Sequence, residues 1–215
     1  MKALLLKDVL MLVKQKKTML IVIIIGLMYA FMDLGTFGVM FLGMMCMIMA
    51  ISTISYDEFD NGNPFLFSQP FTRKQYTIEK YLLAILGSIA GCLIGSVLTL
   101  AGSLIRRQET ELGLIMAIFG GSVLLFGMIS SFMLPMMLKN GAEKGRNSAY
   151  LVFGVIFIGV ILIERILPLN TKESLLSALE HISPFVIISV IVLAVTLAMV
   201  ISCRISIGFM EKREF

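Results

Sequence analysis

The sequence predicts an all-α integral membrane protein: six transmembrane helices, an N-terminal interfacial amphipathic helix, and both termini in the cytoplasm. Three observations carry this. The 215 residues are 58% hydrophobic and 15% charged, against roughly 45–50% and about 25% in an average soluble domain. With a mean hydropathy of +0.96, most of the chain cannot face water, which excludes a soluble enzyme. Apolar runs recur at about Thr18–Met32, Leu34–Ile54, Tyr81–Ile105, Leu112–Leu138, Ser148–Ile163 and Pro184–Cys203, and a helix needs about 20 residues to cross roughly 30 Å of hydrocarbon. Finally, six spans with the N-terminus inside divide the 18 basic residues very unequally. Fourteen fall inside and four outside, namely Arg106, Arg107, Arg165 and Lys172. Merging the first two runs would split them nine and nine, so the preference for basic cytoplasmic loops selects six.

Residues 1–17 alternate apolar and basic side chains. At 100° per residue Leu5, Leu6, Val9, Leu12 and Val13 gather on one side, while Lys7 and Lys14 face another. Such a helix lies in the inner-leaflet interface; the plainer reading is a basic flank that only sets topology. A cleaved signal peptide is disfavoured, because no Ala-x-Ala-like site follows and a second apolar run begins at once.

Residues 18–54 supply spans one and two. As one helix, Thr18–Ile54 would measure about 55 Å, nearly twice the membrane. A hairpin at Asp33-Leu34-Gly35 resolves this, since Asp and Gly tolerate tight reversals. The second span is rich in methionine, with Met44 and Met45 among five such residues between Met40 and Met49. Flexible thioethers suit ordinary packing or the lining of a path for amphipathic cargo.

The loop over residues 55–80 is the largest polar feature. Asp57 and Glu58 open it, an apolar patch of Phe65, Leu66, Phe67 and Phe71 follows, and Arg73 and Lys74 begin the next helix. Thr72 and Gln75 have capping-box spacing. Four large apolar residues in a loop imply that lipid or another protein covers them.

Residues 81–215 hold spans three to six and the C-terminal tail. Gly87, Gly91, Gly95 and Thr99 recur every four residues, a spacing that lets helix backbones approach closely in lipid. Packing inside the bundle, a dimer seam and a substrate passage all fit it. Pro135 should kink the fourth span near its cytoplasmic end. Charges inside the runs are almost absent, with Asp33, Arg106, Arg107, Glu164 and Arg165 at span ends; this argues against an ion pump, a secondary transporter or a voltage sensor. The single histidine, His181, rules out a His-built metal cluster, and Cys46, Cys92 and Cys203 read as small buried hydrophobes. There is no phosphate-binding P-loop, no catalytic set and no metal site.

The whole pattern resembles the ABC-2 type transporter permeases. Their features here are the basic amphipathic helix, the six spans, and a first cytoplasmic loop reading Tyr56-Asp57-Glu58, then Phe67-Ser68-Gln69-Pro70-Phe71-Thr72-Arg73-Lys74, then Lys80-Tyr81 entering span three. Gln69 replaces the usual apolar residue. The resemblance covers nearly the whole chain, as one permease domain over residues 1–215. It implies a non-catalytic translocation subunit of a bacterial plasma-membrane exporter, working as a homo- or heterodimer of permeases. ATP and Mg would be bound by a separate ABC ATPase subunit, against which a coupling helix within Asn61–Gln69 seats. Asp57, Glu58, Phe65, Leu66, Phe67, Phe71, Arg73 and Lys74 would form that contact. Gly87, Gly91, Gly95, Met44 and Met45 would serve packing or the pathway. Among small members it looks most like exporters of phenol-soluble modulins and antimicrobial peptides. No nucleic-acid partner is expected. The alternatives are a non-transporting membrane anchor or signalling partner of a cytosolic protein, and an intramembrane enzyme, which would need polar catalytic groups within the spans.

Overall fold

The computed structural model describes residues 2–32, 34–59, 62–68, 70–107, 111–166 and 183–213. Among them every regular element is a helix: α1 (Lys2–Lys14), α2 (Lys16–Phe31), α3 (Gly35–Glu58), α4 (Gly62–Phe67), α5 (Arg73–Arg106), α6 (Leu112–Asn140), α7 (Ala142–Ile166) and α8 (Pro184–Lys212). Each of the six apolar runs thus becomes one helix. Four of them, α3, α5, α6 and α8 from Phe185 onward, are long and apolar enough to cross a membrane by length and composition. The 16 residues of α2 extend about 24 Å, short of the hydrocarbon thickness.

Helix α2 ends at Phe31 and α3 begins at Gly35, so the reversal lies near the expected Asp33-Leu34-Gly35 turn but Gly35 is already helical; Asp33 itself lies outside the described residues. Leu34 N–H closes the turn on Tyr29 O at 3.2 Å. Small residues then let the two helices meet: Gly38 faces the Cβ of Tyr29, and Gly26 leaves room for the end of Leu42.

The most intimate contact in the fold is between α3 and α5. The glycine stripe of α5 lies against the backbone of α3. A methyl group at Gly95 would sit 2.6 Å from Val39 Cα, one at Gly87 3.1 Å from Cys46 O, and one at Gly91 would overlap Leu42 O. Further along, Thr99 Oγ1 donates to Gly35 O at 2.8 Å. Of the three uses open to this stripe in the sequence, the fold employs it for packing within the chain. Met44 packs against the buried core, and Met45 beside it is half-buried.

The capping box forms as its spacing predicts. Gln75 N–H donates to Thr72 Oγ1 at 3.1 Å, and Thr72 N–H to Gln75 Oε1 at 3.3 Å. From that start α5 runs 34 residues, about 51 Å, so a good part of it must tilt or project beyond the hydrocarbon. Helix α6 continues through Pro135 to Asn140. Hydroxyls tie three long helices together: Tyr81 OH lies 2.6 Å from Ser202 Oγ and 2.9 Å from Ser206 Oγ, and Ser202 Oγ donates to Ser131 O. In an apolar surround, such internally satisfied groups avoid a desolvation cost of a few kcal/mol each.

The buried core runs along the bundle through Val39, Met47, Cys92 and Phe126, and at one end it draws on Leu4 of α1, Ile54 of α3, Leu66 of α4, Tyr76 of α5, Leu138 of α6 and Met210 of α8. Outward faces elsewhere are apolar, as at Phe185, Leu193 and Leu197 of α8, which suits lipid contact.

Candidate functional site

At that end, α1, α3, α4 and α5 enclose a cluster of charges. Capping by Thr72 fixes the first turns of α5, so that Tyr76, Glu79 and Lys80 share a face one turn apart. Asp57 and Thr53 stand one turn apart on α3, and Lys7-Asp8 comes from α1. Lys80 is the hub. Its side chain, 1% exposed, pairs with Asp8, lies 2.7 Å from Asp57 Oδ2, and donates to Thr53 Oγ1 at 2.9 Å. Lys7 pairs with Asp57 and lies 3.0 Å from Asp8 Oδ1. Tyr76 OH donates to Asp57 Oδ2 at 3.1 Å, and its ring lies 4.9 Å from the Lys80 ammonium.

Three carboxylates thus face two ammonium groups. Glu79 is the odd one: its side chain is 1% exposed and 3.8 Å from Lys80 Nζ, and neither oxygen has a hydrogen-bond donor among the described residues. On α1 the balance is readable. Burial opposes the charge of Asp8, yet Lys80 and then Lys7 outweigh it and hold the carboxyl below its ordinary 3.8. Burial likewise opposes the charge on Lys7, but the hydrogen bond and charge of Asp57, with Asp8 adding, raise it above 10.5. Opposite charges at contact distance favour both ionised forms.

The cluster connects outward to the short helix. Phe67 of α4 meets the Tyr76 ring edge-on at 5.4 Å, so α4, Tyr76, Asp57, Lys80 and α1 form one contiguous path. Leu66 is buried, and Phe67 and Phe71 are half-buried against the core. The loop therefore covers three of its own four apolar residues. Phe65 alone of these stands out, 71% exposed, with Phe59 (73%) and Tyr56 (49%) nearby in sequence and also exposed. An open groove of about 410 Å³ between α1, α3 and α4 is lined by Lys7, Met11, Tyr56, Phe65 and Phe71 among others.

The remaining charges of the loop are mostly engaged internally. Glu58 pairs with Arg213 at 2.8 Å and accepts from Ala142 N–H, tying α3 to α7 and α8. Arg73 donates to the carbonyls of Met210, Glu211 and Arg213. These acceptors lie at the C-terminus of α8, Met210 O also receiving Arg213 N–H, where a cation is favoured by the helix dipole. Lys74 is exposed. The coupling segment Asn61–Gln69 begins and ends on residues outside the described ones, and α4 occupies its middle.

Asp8, Thr53, Tyr76 and Glu79 were not singled out by the sequence. A signal was present in the lone acid of an otherwise basic helix and in the 76/79/80 spacing, but neither says which helix faces meet.

The described fold and site define an integral membrane protein of packed apolar helices. One end carries a short helix packed against a buried ionic cluster. Over residues 3–211 the chain matches the family model described as ABC-2 family transporter protein, and it belongs to that family, whose members are membrane translocation components. Searches of curated proteins and of solved structures gave no match.

Proposed function

We propose that this chain is the permease subunit of a bacterial ABC exporter in the plasma membrane. It would be driven by a separate ATPase subunit that seats on α4 and carries the ATP and Mg, and two permease copies would form the pathway. In this reading the six helices of the apolar runs, α2, α3, α5, α6, α7 and α8, traverse the bilayer, with local thinning or flanking residues making up for the short α2. Both termini and α4 are cytoplasmic, supported by the 14-to-4 division of basic residues, and α1 rests in the inner interface with Leu6, Val9 and Val13 exposed toward lipid. An amphipathic peptide is the cargo that the apolar outward faces suit.

The observation that carries the proposal is the α4–Tyr76–Asp57–Lys80 path. A push on Phe65 passes along α4 to Phe67, whose ring meets Tyr76, and from there to Asp57 at the base of α3; α3 and α5 are closely packed and would move together. Among the sequence-chosen coupling residues, Phe65 is the exposed anchor, Lys74 is exposed too, Leu66 and Phe67 hold α4 to the bundle, and Asp57 ties Tyr76 to α1 and Lys80.

The test is Phe65→Ala in the full chain coexpressed with its ATPase. Truncating an aromatic anchor commonly costs about 2 kcal/mol or more, so copurified ATPase should fall about 30-fold while membrane insertion is unchanged. Lys74→Glu should act more mildly and depend on salt. Unaltered copurification in Phe65→Ala would move the ATPase contact away from α4 and favour a non-transporting anchor.

A further inference from the structure

We propose that the cavity between α6, α7 and α8 holds one acyl chain of an anionic phospholipid whose phosphate rests on Lys139. The cavity measures about 520 Å³, and its walls include Ser131, Pro135, Ser148, Ala198 and Phe209. Along α6 it extends from Ser131 to Asn140, nine steps of 1.5 Å or about 14 Å. That is the depth of one leaflet, half of a roughly 30 Å hydrocarbon core.

The two ends differ chemically. At the inner end the polar groups are already satisfied, since Ser202 donates to Ser131 O and lies against Tyr81 OH. What remains is an apolar bore that offers a polar ligand nothing. At the other end Lys139 is exposed and its ammonium sits 4.9 Å from the Phe209 ring, which steadies it at the mouth. The neighbouring carboxylate, Glu58, is neutralised by Arg213. A cation over a leaflet-deep apolar slot is complementary to a headgroup phosphate with its chain below. A second cavity of about 830 Å³ lies between α6 and α8 further along, walled among the described residues by apolar side chains such as Phe119, Val192 and Val195.

The full chain reconstituted in vesicles of equal phosphatidylglycerol and phosphatidylethanolamine, re-extracted and weighed by native mass spectrometry, tests this without any ATPase. One basic side chain at the surface favours an anionic lipid about fivefold. Wild type should therefore retain phosphatidylglycerol about fivefold over the bulk ratio, Lys139→Arg should keep that enrichment, and Lys139→Gln should return it to bulk. Ala198→Phe, which fills the bore, should lose one retained lipid per chain. Bulk-ratio lipid in wild type, enrichment surviving in Lys139→Gln, or an unchanged count in a folded Ala198→Phe would each overturn the assignment. Should Ala198→Phe not fold, the Lys139 pair decides it.

Discussion

Replacing Lys80 by Met removes the ammonium at the centre of the buried cluster while keeping its volume. Asp8, Asp57 and Glu79 then face Lys7 alone, itself about a quarter exposed. Removing one partner of a buried pair costs about 3–5 kcal/mol. A ceiling exists, because a carboxyl of ordinary pKa 3.9 can take up a proton at pH 7 for about 4 kcal/mol and so escape the mismatch. The loss falls on the docking of α1, which is held to α3 and α5 by Lys7 and Asp8. Hydrogen exchange of the α1 amides reads it directly: 3 kcal/mol corresponds to about two orders of magnitude faster exchange, with α6 and α8 little changed. Asp8→Asn in the same chain should recover much of the loss, giving a coupling energy well outside the 0.5 kcal/mol scatter of independent sites. Unchanged exchange in Lys80→Met, or simple additivity with Asp8→Asn, would refute the view that these charges act as one unit.

The glycine stripe gives a paired test. Gly91→Ala should destabilise the chain by about 1–3 kcal/mol, because the added methyl overlaps Leu42 O. Gly120→Ala, with nothing within 4 Å, should be neutral or stabilising by up to about 1 kcal/mol; thermal unfolding in detergent separates the two. Acid should release α1: the carboxyl of Asp8 is depressed in the fold, so its contribution is complete above about pH 4 and is lost as pH falls through the lower folded value. Lys7 is raised, so its contribution is complete below its ordinary value and lost only in strong alkali. The protection factors of the α1 amides, which remove the intrinsic pH dependence of exchange, should therefore fall as the pH drops below about 4.

Much of the scaffold was legible because local signals suffice for it. Six apolar runs must each satisfy their own backbone and so become helices, and the Thr72–Gln75 box and the glycine stripe report local geometry or close approach. The ionic cluster was illegible for the opposite reason. It joins residues 7–8, 53–57 and 76–80, whose partnership depends on which faces three helices turn to one another. The same holds for Phe67 and Leu66. Composition marks them as needing cover, and only the fold reveals that Tyr76 and the core provide it. By the resemblance Glu58 and Arg73 belong to the ATPase contact, yet the chain's own C-terminal helix supplies a nearer counter-charge and nearer carbonyls.

The contact of α5 with α3 bears on routes as well as on stability. From Gly87 beside Cys46 to Thr99 beside Gly35, the two helices touch for about 18 Å without space for a single added carbon at several points. A wall this tight has no lumen, and neither an ion with its water nor a lipid tail can thread it. Whatever crosses the membrane beside this chain must travel along another flank, and an obstruction engineered into the α3–α5 seam would shut no door.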